Sequence, residues 1–133
     1  MPIELRMLAL SIVLGSVQLL AAAHSSTKQR GLKWNLSPRD EKMPDLTGIA
    51  GRLDRAFRNF METFPFFLAA VFLVTFLKAN NAISALGAQL YFFARLVYVP
   101  VYAMGTPVVR TVIWIAALIG MMMVLSALFC ATA

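Results

Sequence analysis

Arg55, Asn59 and Glu62 follow one another at i, i+4 and i+7, which on a helix is a single face. Arg52 extends that line one turn earlier. Further along the chain Tyr91, Tyr98 and Tyr102 recur at helical spacing, with Arg95 between the first two and Arg110 beyond the last. A guanidinium grips a carboxylate through paired hydrogen bonds, and a phenol adds a neutral donor. Two such sets turned toward each other would make a site for an anionic ligand. The plainer reading is that opposite charges clasp helices together, Glu62 with Arg95 for instance. Asp54 and Arg58, four residues apart, read as a local salt bridge.

These polar residues stand in a chain that is otherwise suited to lipid. Of 133 residues 60% are hydrophobic and 14% charged, with a mean hydropathy of +0.76. Ordinary soluble domains run nearer half apolar and a quarter charged. The excess is concentrated in four runs, each long enough to cross a bilayer core. They predict helices over about 4–26, 52–78, 82–104 and 107–130, joined by a polar loop over about 27–51, all in one domain covering 1–133. No sustained alternation of apolar and polar residues suggests a barrel. The fold class is therefore all-α, an integral membrane four-helix bundle. Ala21-Ala22-Ala23 resembles a signal-peptide cleavage site, but Glu4 beside Arg6 gives a weak charged leader, and the first run reads as a retained helix. Pro107 fits the first turn of the last helix.

The net charge of +6 is concentrated in one segment, with eight Lys/Arg between Lys28 and Arg58 against four acids. That pattern suits a membrane-flanking loop better than a nucleic-acid surface. By the positive-inside rule the loop lies in the cytoplasm, both termini lie on the opposite side, and Arg110 returns to the loop's side. Trp34 reads as an interfacial anchor and His24 as a polar cap at a helix end. The Met121–Met123 run reads as packing or lipid-facing material, and Cys130 as a small apolar residue. With one cysteine and no paired Cys/His spacing, nothing suggests a metal.

The pattern Arg55-Ala56-x-x-Asn59-x-x-Glu62-x-x-Pro65, with Ala94-Arg95-x-x-Tyr98-x-x-x-Tyr102 and a downstream Arg110, resembles the MAPEG family. These are the membrane-associated proteins of eicosanoid and glutathione metabolism, including microsomal glutathione transferases. The resemblance implies a homotrimer with glutathione, the co-substrate, held between subunits at the cytoplasmic face. It implies Arg55, Asn59, Glu62, Arg95, Tyr98 and Tyr102 as glutathione-binding residues, and Arg110 as the catalytic residue that stabilises the thiolate. Arg30 is the nearest counterpart of an arginine the family carries at the end of its first helix, with Lys28 and Lys33 as alternatives. Thr63 stands where some relatives have a tyrosine, and the Tyr102–Arg110 spacing differs by one residue from some of them.

Two classes of function follow. One is a membrane-bound glutathione transferase, with or without peroxidase activity, acting on a hydrophobic small-molecule substrate that arrives through lipid. The other is a non-catalytic lipid-binding or scaffold protein in which the same charges tie helices together. A transporter has less behind it, since no pair of broken helices is evident.

Overall fold

The structure, a computed structural model, describes residues 1–132, with side chains through Cys130. The described residues form helices α1 (Ile3–Arg30), α2 (Leu32–Leu36), α3 (Gly48–Phe76), α4 (Ala82–Ala103) and α5 (Pro107–Thr132). All but the short α2 are long and apolar enough to cross a membrane. In hydrocarbon a helix satisfies its own backbone hydrogen bonds, which is why apolar runs of this length fold as helices rather than as an open sheet.

The boundaries differ from the sequence expectation at one place that matters for the polar end. Residues 27–51 are only partly loop. Helix α1 continues past its apolar run through Ser25, Ser26, Thr27, Lys28 and Gln29, because these side chains tolerate helix once the nucleus has formed. It stops at Gly31, whose φ of +93° is open to glycine at little cost, and Gly31 N–H closes the end on Thr27 O at 2.8 Å. The helix α2 follows directly. The remaining connection is pinned: Arg30 Nη2 donates to Pro44 O (3.1 Å) and Trp34 Nε1 donates to Glu41 O (2.9 Å). Thr47 N–H donates to Gln29 Oε1 (3.2 Å) just before α3 begins. Trp34 is thus fastened within its own loop, with Arg30 and Arg39 within 5.1 and 5.5 Å of its ring centre.

The bundle pairs α4 most extensively with α5, and α1 with α3. The α4–α5 seam closes at two glycines. A Cβ on Gly87 would stand 2.6 Å from Gly120 O, and one on Gly120 would stand 2.6 Å from Gly87 O. Around that seam Phe67, Val71, Val74, Ala88, Tyr91, Ala117 and Val124 form a core without solvent contact. The ring of Tyr91 stacks on Phe67 at 3.9 Å, and its hydroxyl lies 3.0 Å from Thr63 Oγ1. A threonine at position 63 therefore partners a buried tyrosine of the next helix. At the other end of the bundle Ser84 Oγ, part of the Asn81 capping box that starts α4, donates to the buried Glu4 carboxylate. Leu20, Phe66, Phe76 and Phe129 instead face outward. Apolar surface of that extent on a helical bundle is a membrane-facing surface.

Length explains where the charges of α3 sit. Its 29 residues rise about 43 Å at about 1.5 Å each, some 13 Å beyond a hydrocarbon core of about 30 Å. With Phe66–Phe76 in the apolar part, the first turns, carrying Arg52 to Arg58, reach into the interfacial zone.

Candidate functional site

Helix α3 carries Arg55, Arg58, Asn59 and Glu62, α4 carries Tyr98 and Tyr102, and α5 carries Arg110. These seven side chains line one groove of 370 Å³, completed by Thr111 and Trp114. Ala56 and Phe60, about 100° further round α3, are buried against the bundle, which leaves Arg55 and Glu62 exposed and Asn59 half-buried. The sequence expectation of one polar face is matched in register.

Tyr102 is the hub of the groove. Arg55 Nε donates to its hydroxyl at 3.2 Å, and the Arg110 guanidinium lies 4.7 Å from its ring centre. Tyr98 stands 5.6 Å away, ring centre to ring centre. Two cations are thereby set around one phenol at the mouth of the groove, each retaining donors that no group among the described residues accepts. Arg58 is tied to Asp54 at 3.1 Å, the local pair that its i, i+4 spacing suggests. Glu62 makes no salt bridge among the described residues, so the Glu62–Arg95 clasp is not formed.

Arg95 sits behind the groove rather than on its wall. It is wholly buried, donates from Nη1 to Asn59 Oδ1 at 2.8 Å, and packs 4.3 Å from the centre of the Tyr98 ring and 5.6 Å from that of Phe60. Its Nε and Nη2 have no hydrogen-bond partner among the described residues. Within one chain its part is to fix Asn59 and Tyr98. Arg30 is also off the groove. It lines a second cavity, of 530 Å³, with Trp34, Asn35, Arg39, Asp54 and Arg55 among others. Lys28 and Lys33 line neither.

Thr111 and Trp114 were not singled out by the sequence reading. Trp114 is four residues after Arg110 and so lies on the same helical face, a signal that the spacing contains. Its Nε1 is shut off from solvent without a partner. A third, smaller cavity of 310 Å³ adjoins the groove at the α4–α5 turn, sharing Arg55, Tyr102 and Arg110 and adding Arg52, Gly105, Thr106 and Pro107.

A multi-pass bundle with apolar outer faces is an integral membrane protein, and this one carries a cationic groove at one end. The chain belongs to the MAPEG family, whose family model matches residues 7–130 and so nearly its whole length. A comparison with curated proteins finds no match.

Proposed function

We propose that this protein is a membrane-bound glutathione transferase that joins the glutathione thiolate to hydrophobic electrophiles. One observation carries the reading: Arg55, Asn59, Glu62, Tyr98, Tyr102 and Arg110, drawn from three helices, line a single groove. Glutathione offers two carboxylates, an ammonium and a thiol. The groove offers guanidiniums for the carboxylates, the Glu62 carboxylate for the ammonium, and Asn59 and the tyrosines as neutral partners. Its volume lies within the range of small-molecule sites, about 300–1,000 Å³.

In this reading Arg110 is the catalytic residue. A cation beside a thiol favours the ionised form, and the thiolate is the nucleophile. The sulfur then forms a bond to an electrophilic carbon. The displaced electron pair leaves with the substrate's leaving group or opened-ring oxygen, which takes a proton from water. Arg95 is a positioning residue, holding Asn59. The electrophile reaches the groove from lipid along the exposed apolar faces of α4 and α5. With a peroxide as the substrate, the same thiolate would attack one oxygen and break the O–O bond, giving glutathione sulfenic acid and an alkoxide that takes a proton from water. A second glutathione would turn the sulfenic acid into the disulfide and water.

The groove is open on one side, with Glu62 and Arg55 exposed, and Arg30 does not reach it within its own chain. A homotrimer that sets neighbouring subunits against this face would close it. The basic segment around 27–51 supports an orientation with the groove on the cytoplasmic side and both termini opposite. The non-catalytic alternative is favoured by the buried Arg95–Asn59 link, which would tie α3 to α4 with or without a ligand. Calorimetry on detergent-purified protein separates them. Glutathione binds the transferase, with affinity reduced at least tenfold in Glu62→Gln. No heat with glutathione at any concentration leaves the scaffold reading.

A further inference from the structure

The cavity at the α4–α5 turn shares Arg55 and Arg110 with the groove and adds one cation that the glutathione reading does not use, Arg52. Three guanidinium side chains, those of Arg52, Arg55 and Arg110, line it, and no carboxylate does. Among the described residues the salt bridge goes to Arg58 and to none of these three. Like charges gathered in a recess repel one another, and an anion placed among them relieves that cost.

Arg52 belongs to this cavity and not to the groove. It is held in place by one donor, Nη1, which bonds Ala103 O at 3.1 Å near the end of α4. A Cβ on Gly105 would come within 3.4 Å of both Arg52 Cζ and Nη2, and Gly105 itself has a φ of +73°. Glycine lets the turn reverse there and lets the guanidinium lie close against it. The other N–H groups of the Arg52 fork make no hydrogen bond among the described residues. Pro107 opens α5 at the same wall, so the positive end of that helix adds to the local potential.

The rim narrows the class of anion. Met104, Val108 and Val109, immediately beside the cavity, are 71%, 75% and 51% exposed. Recessed cations with bare apolar side chains at their edge mark the level where headgroups meet acyl chains. We propose that the Arg52–Arg55–Arg110 cavity binds the phosphate of an anionic membrane phospholipid, whose chains run down the exposed apolar side of α5. Arginine forks match phosphate oxygens in pairs, which suits three of them around one such group.

The test uses the full chain in nanodiscs and reads Tm, since a ligand of the folded state raises it. Discs of phosphatidylcholine alone are compared with discs carrying a minor fraction of phosphatidic acid, and with phosphatidylcholine discs in inorganic phosphate buffer. Phosphatidic acid raises the Tm. Arg52→Gln, which keeps a donor for Ala103 O but removes the charge, loses at least half of that rise. Arg39→Gln, a cation of the loop away from the cavity, keeps it. If Arg52→Gln does not fold, Arg52→Lys serves, with a single point charge in place of the fork and again a smaller rise. A full rise in the Arg52 variant, or an equal loss in Arg39→Gln, overturns the site. An equal rise with inorganic phosphate overturns the lipid as its source. Glutathione calorimetry in the discs of phosphatidylcholine alone reports separately, because Arg52 has no part in the groove and no phosphatidic acid there competes for Arg55 and Arg110.

Discussion

Replacing Asn59 by alanine should destabilise the folded protein by about 2–3 kcal/mol, even with no ligand present. Arg95 is wholly buried and its one hydrogen bond runs from Nη1 to Asn59 Oδ1 at 2.8 Å. Its Nε and Nη2 are already without partners. A hydrogen bond to a charged group contributes about 1.5–3 kcal/mol, and a buried charge stripped of its last partner costs more. What remains in Asn59→Ala is the contact with the Tyr98 ring, 4.3 Å from its centre, and the more distant Phe60 ring, 5.6 Å away. Such contacts supply about 0.5–2 kcal/mol and are present in both proteins, so they do not offset the loss. At about 1.36 kcal/mol per decade, the unfolding equilibrium shifts about 30- to 160-fold. The assay is reversible unfolding in mixed micelles with increasing dodecyl sulfate, followed by tryptophan fluorescence without glutathione. The double variant Arg95→Met/Asn59→Leu removes both partners together and should recover most of the loss, as buried ion and hydrogen-bond pairs often do when replaced by packed apolar groups. A loss below about 0.5 kcal/mol in Asn59→Ala, or a double variant as unstable as the sum of the two single ones, refutes the claim that Asn59 holds a buried cation.

Gly87→Ala places a Cβ 2.6 Å from Gly120 O and 2.6 Å from Met123 Cβ, so α4 and α5 must part; the same unfolding assay should show a loss of about 1–3 kcal/mol. Sidedness is read by labelling single cysteines in a Cys130→Ser background. A cysteine at Arg39 should react with an impermeant thiol reagent only in inside-out vesicles, and one at Pro2 only in right-side-out vesicles; the reverse pattern would contradict the orientation.

The four spans were legible because hydrocarbon imposes a length and a composition that a single sequence displays. The Arg55–Asn59–Glu62 face was legible too, since helical spacing alone puts those residues in line. Spacing did not tell that Arg95 stands behind the groove and not on its wall. The arginine shares a helical stripe with Tyr98 and Tyr102, yet it points into the bundle, and only the packing of Phe60 and Tyr98 around it decides that. The end of α1 was missed for a different reason. Apolar windows register where hydrocarbon stops, whereas the helix stops at a glycine several residues later. Arg30 sits on that extra length and lines the neighbouring cavity, which shares Arg55 and Arg58 with the groove, and no pattern within one chain could tell which of the two it faces. Trp114 was recoverable from its i+4 spacing to Arg110, but an apolar run hides a single polar-tipped side chain, and no spacing marks Thr111.

The central claim is that Arg110 holds a glutathione thiolate in the groove. Ultraviolet difference absorbance of purified protein with glutathione at neutral pH tests it most directly, since the thiolate absorbs where the thiol does not. The account predicts a thiolate band that saturates with glutathione and is lost in Arg110→Ala, while calorimetry on that variant still shows glutathione bound. A band of undiminished size in Arg110→Ala, or no band in the wild-type protein with glutathione bound, would contradict it.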